Sequence, residues 1–382
     1  MEINVDGVKN RIIEVLSHTK AVDVQIRDEA KKRMDLLVKP LGSLGELELI
    51  AIRIAAIQRS LEPNVKKRIT IVMAADHGIV EEGIACAPSS VTAMQTINML
   101  KGITGVCVLS RSNAADMEVV DIGVNCELQE FSGMRNPFVS RKVAYGSRNF
   151  SKERALESSE VEQALWVGIE RVKNAVEQGY QVIGTGEMGI GNTSVSSALL
   201  MALSGKNAEL LVGKGGGISE EAFLKKKKVI EKALEFHGIL NDVQVDTDRN
   251  ASFTYEEIID ILSKVGGLDL IGMSGLFLGA AYYQVPVVMD GFISAVAAYV
   301  AYLLCPNVKE YIFPSHISME PGYLHVIQAM GLEPIFHLKM RLGEGSGCPL
   351  AFSLMQSACD VINCMATFDE AMIDSSHLVD IR

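Results

Sequence analysis

The chain has 382 residues, 48% of them hydrophobic and 22% charged, and a formal net charge of −11. That length buries a large core, as two domains or one big one, and the acidic balance excludes broad binding to nucleic acid or anionic membrane, both of which need basic surface. The seven cysteines, at 86, 107, 126, 305, 348, 359 and 364, form no CxxC pair and no zinc-like Cys/His cluster, which reads as reduced thiols in a cytoplasmic protein without a metal site.

The N-terminal stretch MEINVDGVKN has no apolar run of the signal-peptide kind. Helices are expected over the first 60 residues. Val22, Ile26, Ala30 and Met34 fall near helical spacing, and a second run over 47–57 follows the turn Gly42-Ser43-Leu44-Gly45. After a polar link at 64–68, short β-rich runs alternate with helical patterns. The spacing predicts strands at 69–73, 118–122, 181–183, 268–271, 285–289 and 311–313, several of them ending in glycine, aspartate or serine. Between two of these, apolar residues at 161, 165, 169, 172 and 176 mark one face of a helix. Such alternation predicts an α/β fold with a parallel sheet covered on both faces, and ligands in such sheets bind beyond the carboxyl ends of the strands. The most hydrophobic segment, 292–305, is too short to span a bilayer and reads as a buried helix. Beyond Leu332 loops and a helix over 351–365 return. The expected division is a large α/β domain over 61–331 and a small helical domain from 1–60 plus 332–382.

Three glycine-rich loops carry the chemistry. The first, Gly184-Thr185-Gly186-Glu187-Met188-Gly189-Ile190-Gly191-Asn192-Thr193, follows a strand and opens a helix over 194–203, with Asn192 or Thr193 as its natural cap. Gly184, Gly186 and Gly189 fit the dinucleotide pattern G-x-G-x-x-G, which leaves an NAD-dependent oxidoreductase as a distant reading. Glu187 would then face a pyrophosphate, so a single phosphate at 189–193 fits better. The second loop, Gly213-Lys214-Gly215-Gly216-Gly217, precedes a helix over 219–237 that carries four successive lysines, 225–228. A helix cannot turn all four the same way, so one or two can face a phosphate while the rest form a solvated face. The third is Arg341-Leu342-Gly343-Glu344-Gly345-Ser346-Gly347. Glycine flanks permit unusual torsions there, and Glu344 is either solvated in a capping loop or placed to take a proton. Asp76-His77 ends a strand, where neighbours diverge. A structural hydrogen bond for at least one of them is expected, not a mutual relay. His316, His325 and His337 show no metal-ligand spacing.

Together these stretches, with KPLGSLGELE, AADHGI, VTAMQ, KVGGLDLIGMSG, PVVMDGF and PSHISMEPG, resemble the nicotinate-nucleotide–dimethylbenzimidazole phosphoribosyltransferase family from Lys39 to Cys348. The resemblance implies a Rossmann-like six-stranded parallel sheet, a small helical domain, a homodimer and a reaction with no metal or tightly bound cofactor. It implies transfer of ribose 5-phosphate from nicotinate mononucleotide to 5,6-dimethylbenzimidazole or a related base in cobalamin biosynthesis. By motif, Glu344 resembles the family's catalytic base and Glu187 its second active-site glutamate. Gly189, Ile190, Gly191, Asn192 and Thr193 resemble the phosphate loop. Lys226, Ser315, Arg341 and Gly343 lie in segments resembling the phosphate and ribose contacts, and Gln95 resembles a residue lining the base pocket. Where some members line that pocket with a serine before a proline, this chain has Ala87. A paralogue using a phenolic or purine-like acceptor, or a non-catalytic nucleotide-binding protein, are the neighbouring alternatives. The chain lacks the acidic pair of the phosphoribosyl-pyrophosphate signature, which fits a donor with one phosphate.

Overall fold

The computed structural model describes residues 5–128, 134–239, 253–376 and 378–380. The chain opens with three helices, α1 (Val5–His18), α2 (Val24–Asp35) and α3 (Glu46–Gln58). Asp23 caps α2 by accepting the Ile26 N–H at 3.0 Å, satisfying one of the orphan amides of a first turn. Then come β1 (Arg68–Ala75), α4 (Ser90–Lys101), α5 (Gly105–Ser112), β2 (Asp116–Gly123), β3 (Phe138–Ser140), α6 (Ser158–Glu177) and β4 (Val182–Met188). The second half runs through α7 (Asn192–Ser204), α8 (Ala208–Leu211), α9 (Glu220–Phe236), α10 (Tyr255–Val265), α11 (Leu268–Tyr282) and β5 (Val287–Met289). It ends with α12 (Phe292–Leu304), β6 (Ile312–Pro314), α13 (Pro321–Met330) and α14 (Cys348–Cys364).

The six strands pair in parallel in the order β3-β2-β1-β4-β5-β6. This is the α/β, Rossmann-like sheet flanked by helices that the sequence predicts. All of β4, and all of β1 after Arg68, are buried, because helices cover both faces and no strand residue needs a polar side. The chain winds outward from β1 to β3, then returns through α6 to start β4 on the other side of β1. That reversal opens a crevice at the carboxyl ends of β1 and β4.

Two strand expectations change. Residues 268–271 form the first turn of α11, not a strand. α11 is buried on every side from Leu268 to Ala281, so it shows no polar face and no helical period. It lies against α6 with almost no side chain between them: a Cβ on Gly168 would sit 2.0 Å from the Gly272 carbonyl oxygen. The sixth strand is instead β3, three residues on the sheet edge beside β2. Between β2 and α6, Glu118 and Arg171 form a buried two-pronged ion pair, Nε–Oε1 2.9 Å and Nη2–Oε2 2.8 Å.

The two chain ends meet. Val38 N–H donates to the Ala366 carbonyl at 2.9 Å, and α3 lies against both α2 and α14. Buried residues of these helices, among them Met34, Ile54 and Phe352, are continuous with the core around the sheet. All seven cysteines are free thiols. Among the described residues, no helix is long and apolar enough to cross a membrane.

Candidate active site

A cavity of about 420 Å³ opens at the carboxyl ends of β4 and β5 and is closed by the loops before α9, after β6 and before α14. Its chemistry centres on the loop before α14. Gly343 (φ 83°), Glu344 (φ 64°) and Gly345 (φ 86°) are three successive left-handed residues. For glutamate that conformation costs about 1–2 kcal/mol, so surrounding groups must hold it. They do: the Glu344 N–H donates to Glu187 Oε1 at 3.1 Å, and the Gly345 and Gly347 N–H groups donate to Asp290 Oδ2 and Oδ1 at 3.0 and 2.7 Å. Close approach also matters, since a Cβ on Gly186 would lie 2.6 Å from the Glu344 carbonyl oxygen.

The Glu344 side chain is fixed at both oxygens. Oε1 accepts from Gln95 Nε2 at 2.8 Å, and Oε2 accepts from the Val106 N–H at 3.2 Å. Val106 sits in the first turn of α5, where unpaired amides and the helix dipole favour an anion. The result is a buried carboxylate on the cavity wall, 6% exposed.

Behind it lies a chain of buried polar groups. Asn192 donates its amide to both Glu187 Oε2 and Asp269 Oδ2. Burial, then repulsion from Asp269, pushes Glu187 up to about 8, against the lowering effect of the Glu344 N–H and the Asn192 amide. His77 Nε2 stands 3.2 Å from Asp269 Oδ1, at ion-pair distance but out of line for a hydrogen bond. Burial works to lower the His77 pKa, yet Asp269, Asp76 and Glu187 together outweigh it and raise it. Asp76 turns away, its Oδ2 accepting the Asn125 N–H at 2.8 Å. The adjacent pair thus diverges, with a structural bond for Asp76.

At the other end of the cavity, Gly191 begins α7 in the left-handed region (φ 97°). The expected cap at Asn192 or Thr193 is not formed, because the Asn192 side chain is drawn inward by Glu187 and Asp269. Of the four lysines, α9 buries only Lys226. Its Nζ donates to Thr193 Oγ1 at 3.3 Å and to the Gly213 carbonyl at 3.0 Å. Burial pushes it down to about 8, opposed by Glu320 and Cys86. Lys227 instead pairs with Glu209 on the surface side, 2.6 Å away. Glu320 Oε1 accepts the Gly215 N–H at 3.0 Å and closes this end.

The structure brings most of the sequence-predicted residues to one cavity: Gln95, Glu187, the run Gly189, Ile190, Gly191, Asn192 and Thr193, then Lys226, Arg341, Gly343 and Glu344 all line it. Two do not. Ser315 extends β6, its N–H bonded to the Met289 carbonyl, and its hydroxyl turns inward to His316 Nδ1 at 2.9 Å. His316 and Ser318 hold the wall in its place. Ala87 also falls outside the lining, which at that point is Ala85 and Cys86. The loop 213–217 comes down on Cys86, so close that a Cβ on Gly216 would sit 3.0 Å from its sulfur.

A family model described as a phosphoribosyltransferase, DBI_PRT, matches residues 19–373. A Clostridium perfringens protein named nicotinate-nucleotide–dimethylbenzimidazole phosphoribosyltransferase is 47% identical over 369 residues, 97% of each chain. The chain belongs to the nicotinate-nucleotide–dimethylbenzimidazole phosphoribosyltransferase family. Another member of this family, from Clostridium tetani, is 43% identical over 370 residues, again 97% of each chain. Among solved structures, CobT from Thermus thermophilus superposes with a TM-score of 0.83 at 33% identity, over 92% of this chain and 100% of that one.

Sequence reasoning assigned no role to Asp290 or Asp269. Asp290 carried a signal, since the DGF that follows β5 ends a strand where ligand-facing residues gather. Asp269 has none, because the apolar run around it has the pattern of a strand.

Proposed function

We propose that this chain transfers ribose 5-phosphate from nicotinate mononucleotide to 5,6-dimethylbenzimidazole or a related base, releasing nicotinate and forming the α-ribotide for the lower ligand of cobalamin. The observation that carries the reading is the fixed Glu344 carboxylate at one end of a cavity whose other end holds a buried ammonium. Lys226, Thr193 and the loop from Gly189 to Asn192 take the donor's 5′-phosphate, with Arg341 and Gly343 beside the ribose. The acceptor base lies against the hydrogen-bonded pair Gln95 and Glu344.

Glu344 accepts the proton from one ring nitrogen of the acceptor while the other ring nitrogen attacks C1′. The C1′–N bond to the nicotinate ring breaks, and its electron pair neutralises the pyridinium. Attack opposite the leaving group converts the β-linked donor into an α-linked product. General-base help of this kind is worth about 10²–10⁴ in rate, and holding both reactants in line contributes more. Burial, with Asp269 close by, raises the Glu187 pKa and favours its neutral form in the resting site. A pyridinium entering beside it favours the ionised form, so Glu187 ionises as donor binds and then faces the developing ribosyl cation. The enzyme acts as a cytoplasmic homodimer, with a helical domain from 1–60 and 332–382 packed beside the α/β domain of 61–331.

Purified protein mixed with nicotinate mononucleotide and 5,6-dimethylbenzimidazole is expected to release nicotinate and form the α-ribotide without added Mg²⁺, as followed by chromatography and mass spectrometry. Nicotinate release without an acceptor adduct, or no release at all, would overturn the reading.

A further inference from the structure

We infer that Asp290 is a positioning residue for Glu344: its carboxylate clamps the loop 343–347 by two amide hydrogen bonds and thereby fixes where the Glu344 carboxylate points. The inference rests on the reading of Glu344 as the base. Asp290 follows β5 at the floor of the cavity and is 2% exposed. Both of its oxygens are committed to this one loop, Oδ2 to the Gly345 N–H at 3.0 Å and Oδ1 to the Gly347 N–H at 2.7 Å. The nearest cationic candidate is His316, whose Nδ1 is 3.8 Å from Oδ1, and burial lowers the His316 pKa. The other titratable groups facing it are Glu344 on the loop, Glu187 on β4, Tyr323 on α13 and Cys348 on α14. None of these offers a positive charge. A buried carboxylate that faces no cation among the described residues is an expensive way to fill space, and here each of its oxygens accepts an amide of this loop, with the Gly291 N–H a further donor.

The arrangement has mechanical sense. The left-handed run through Gly343, Glu344 and Gly345 does not persist by its own preference. Glu187 holds it on the β4 side through the Glu344 N–H, and Asp290 holds it on the β5 side. Asparagine at 290 keeps the shape but replaces one acceptor oxygen with an NH₂ donor, which then opposes an N–H. The loop must shift there, and a displacement of about 1 Å at a reacting group costs about 10²-fold in rate.

The test is a double-mutant cycle in nicotinate release, using wild type, Asp290→Asn, Glu344→Gln and the double variant. Asp290→Asn is expected to lower kcat about 10²-fold with the donor KM changed by no more than about threefold. In the Glu344→Gln background the same substitution should cost less than about twofold, since no base remains to aim. An equal loss in both backgrounds, or full activity of Asp290→Asn, overturns the inference. Hydrogen exchange on the wild-type protein judges the clamp without any variant or reaction. The amides of Gly345 and Gly347 are expected to exchange slowly although they lie in a loop, and exchange at the rate of an open loop overturns it. If wild type fails to release nicotinate, the reading of the reaction falls, and the exchange result still decides the clamp.

Discussion

Lys226 makes a quantitative demand on how the donor binds. It is 1% exposed and its pKa falls from 10.5 to about 8, which corresponds to about 3 kcal/mol against the charged form. A phosphate supplies the missing counter-charge, so binding should be tight when Lys226 is already protonated and weaker once it is not. At pH 7 the ammonium is mostly charged, and at pH 9 about nine-tenths has lost its proton, which weakens binding by about tenfold relative to a site without this titration. A phosphate monoester, with its second pKa near 6, stays dianionic throughout. Lys226→Met removes a hydrogen bond between charged groups, about 1.5–3 kcal/mol, or about 10- to 150-fold in donor affinity at pH 7. Glu187 also titrates in this range, so the informative quantity is the ratio of variant to wild-type Kd, in which its effect cancels. Calorimetric titration of nicotinate mononucleotide without acceptor should show that ratio shrinking about tenfold from pH 7 to pH 9. A ratio near one at pH 7, or one that does not change with pH, would refute the placement of the phosphate at Lys226.

Three further outcomes follow from the geometry. The folded-state pKa of Lys226 lies below its unfolded value, so the unfolded chain binds more protons between pH 8 and 10.5. Wild type should therefore gain up to about 3 kcal/mol of unfolding free energy across that window relative to Lys226→Met in urea titrations. Arg171→Met strands Glu118 in the core and should cost about 3–5 kcal/mol of stability, with kcat of the folded protein unchanged in steady-state assays. Gln95→Leu removes the amide that holds Glu344 Oε1 and should lower kcat/KM about 10- to 100-fold, with an unaltered urea midpoint.

The parallel sheet was legible because β1 and β4 are buried on both faces and so read as unbroken apolar runs between turn residues. The same rule misled at 268–271, since a helix buried all round also reads as an apolar run, and the packing of α6 on Gly275 and Gly279 distinguishes it. β3 left no trace because three edge residues are too few to show a period. In the site, glycine density marked the loops around Glu187 and Glu344, which the fold brings to one cavity. Which lysine turns inward was not legible from four in a row; the orientation of α9 decides it in favour of Lys226. The clamp at Asp290 was invisible for a different reason. Its partners are backbone amides more than fifty residues away, and amides have no signature in a sequence. Ser315 and Ala87 lie beside the cavity and not on its lining: a motif names a neighbourhood, and the fold turns a neighbour, Ser318 or Cys86, to the cavity.

The central claim is that Glu344 removes the acceptor's proton, and it is tested most directly by single-turnover nicotinate release with Glu344→Gln. Glutamine keeps the shape and the Val106 contact but cannot take a proton. The account predicts a rate lower by about 10²–10⁴ with donor affinity and urea midpoint close to wild type. A variant that turned over at near-normal rate would contradict it.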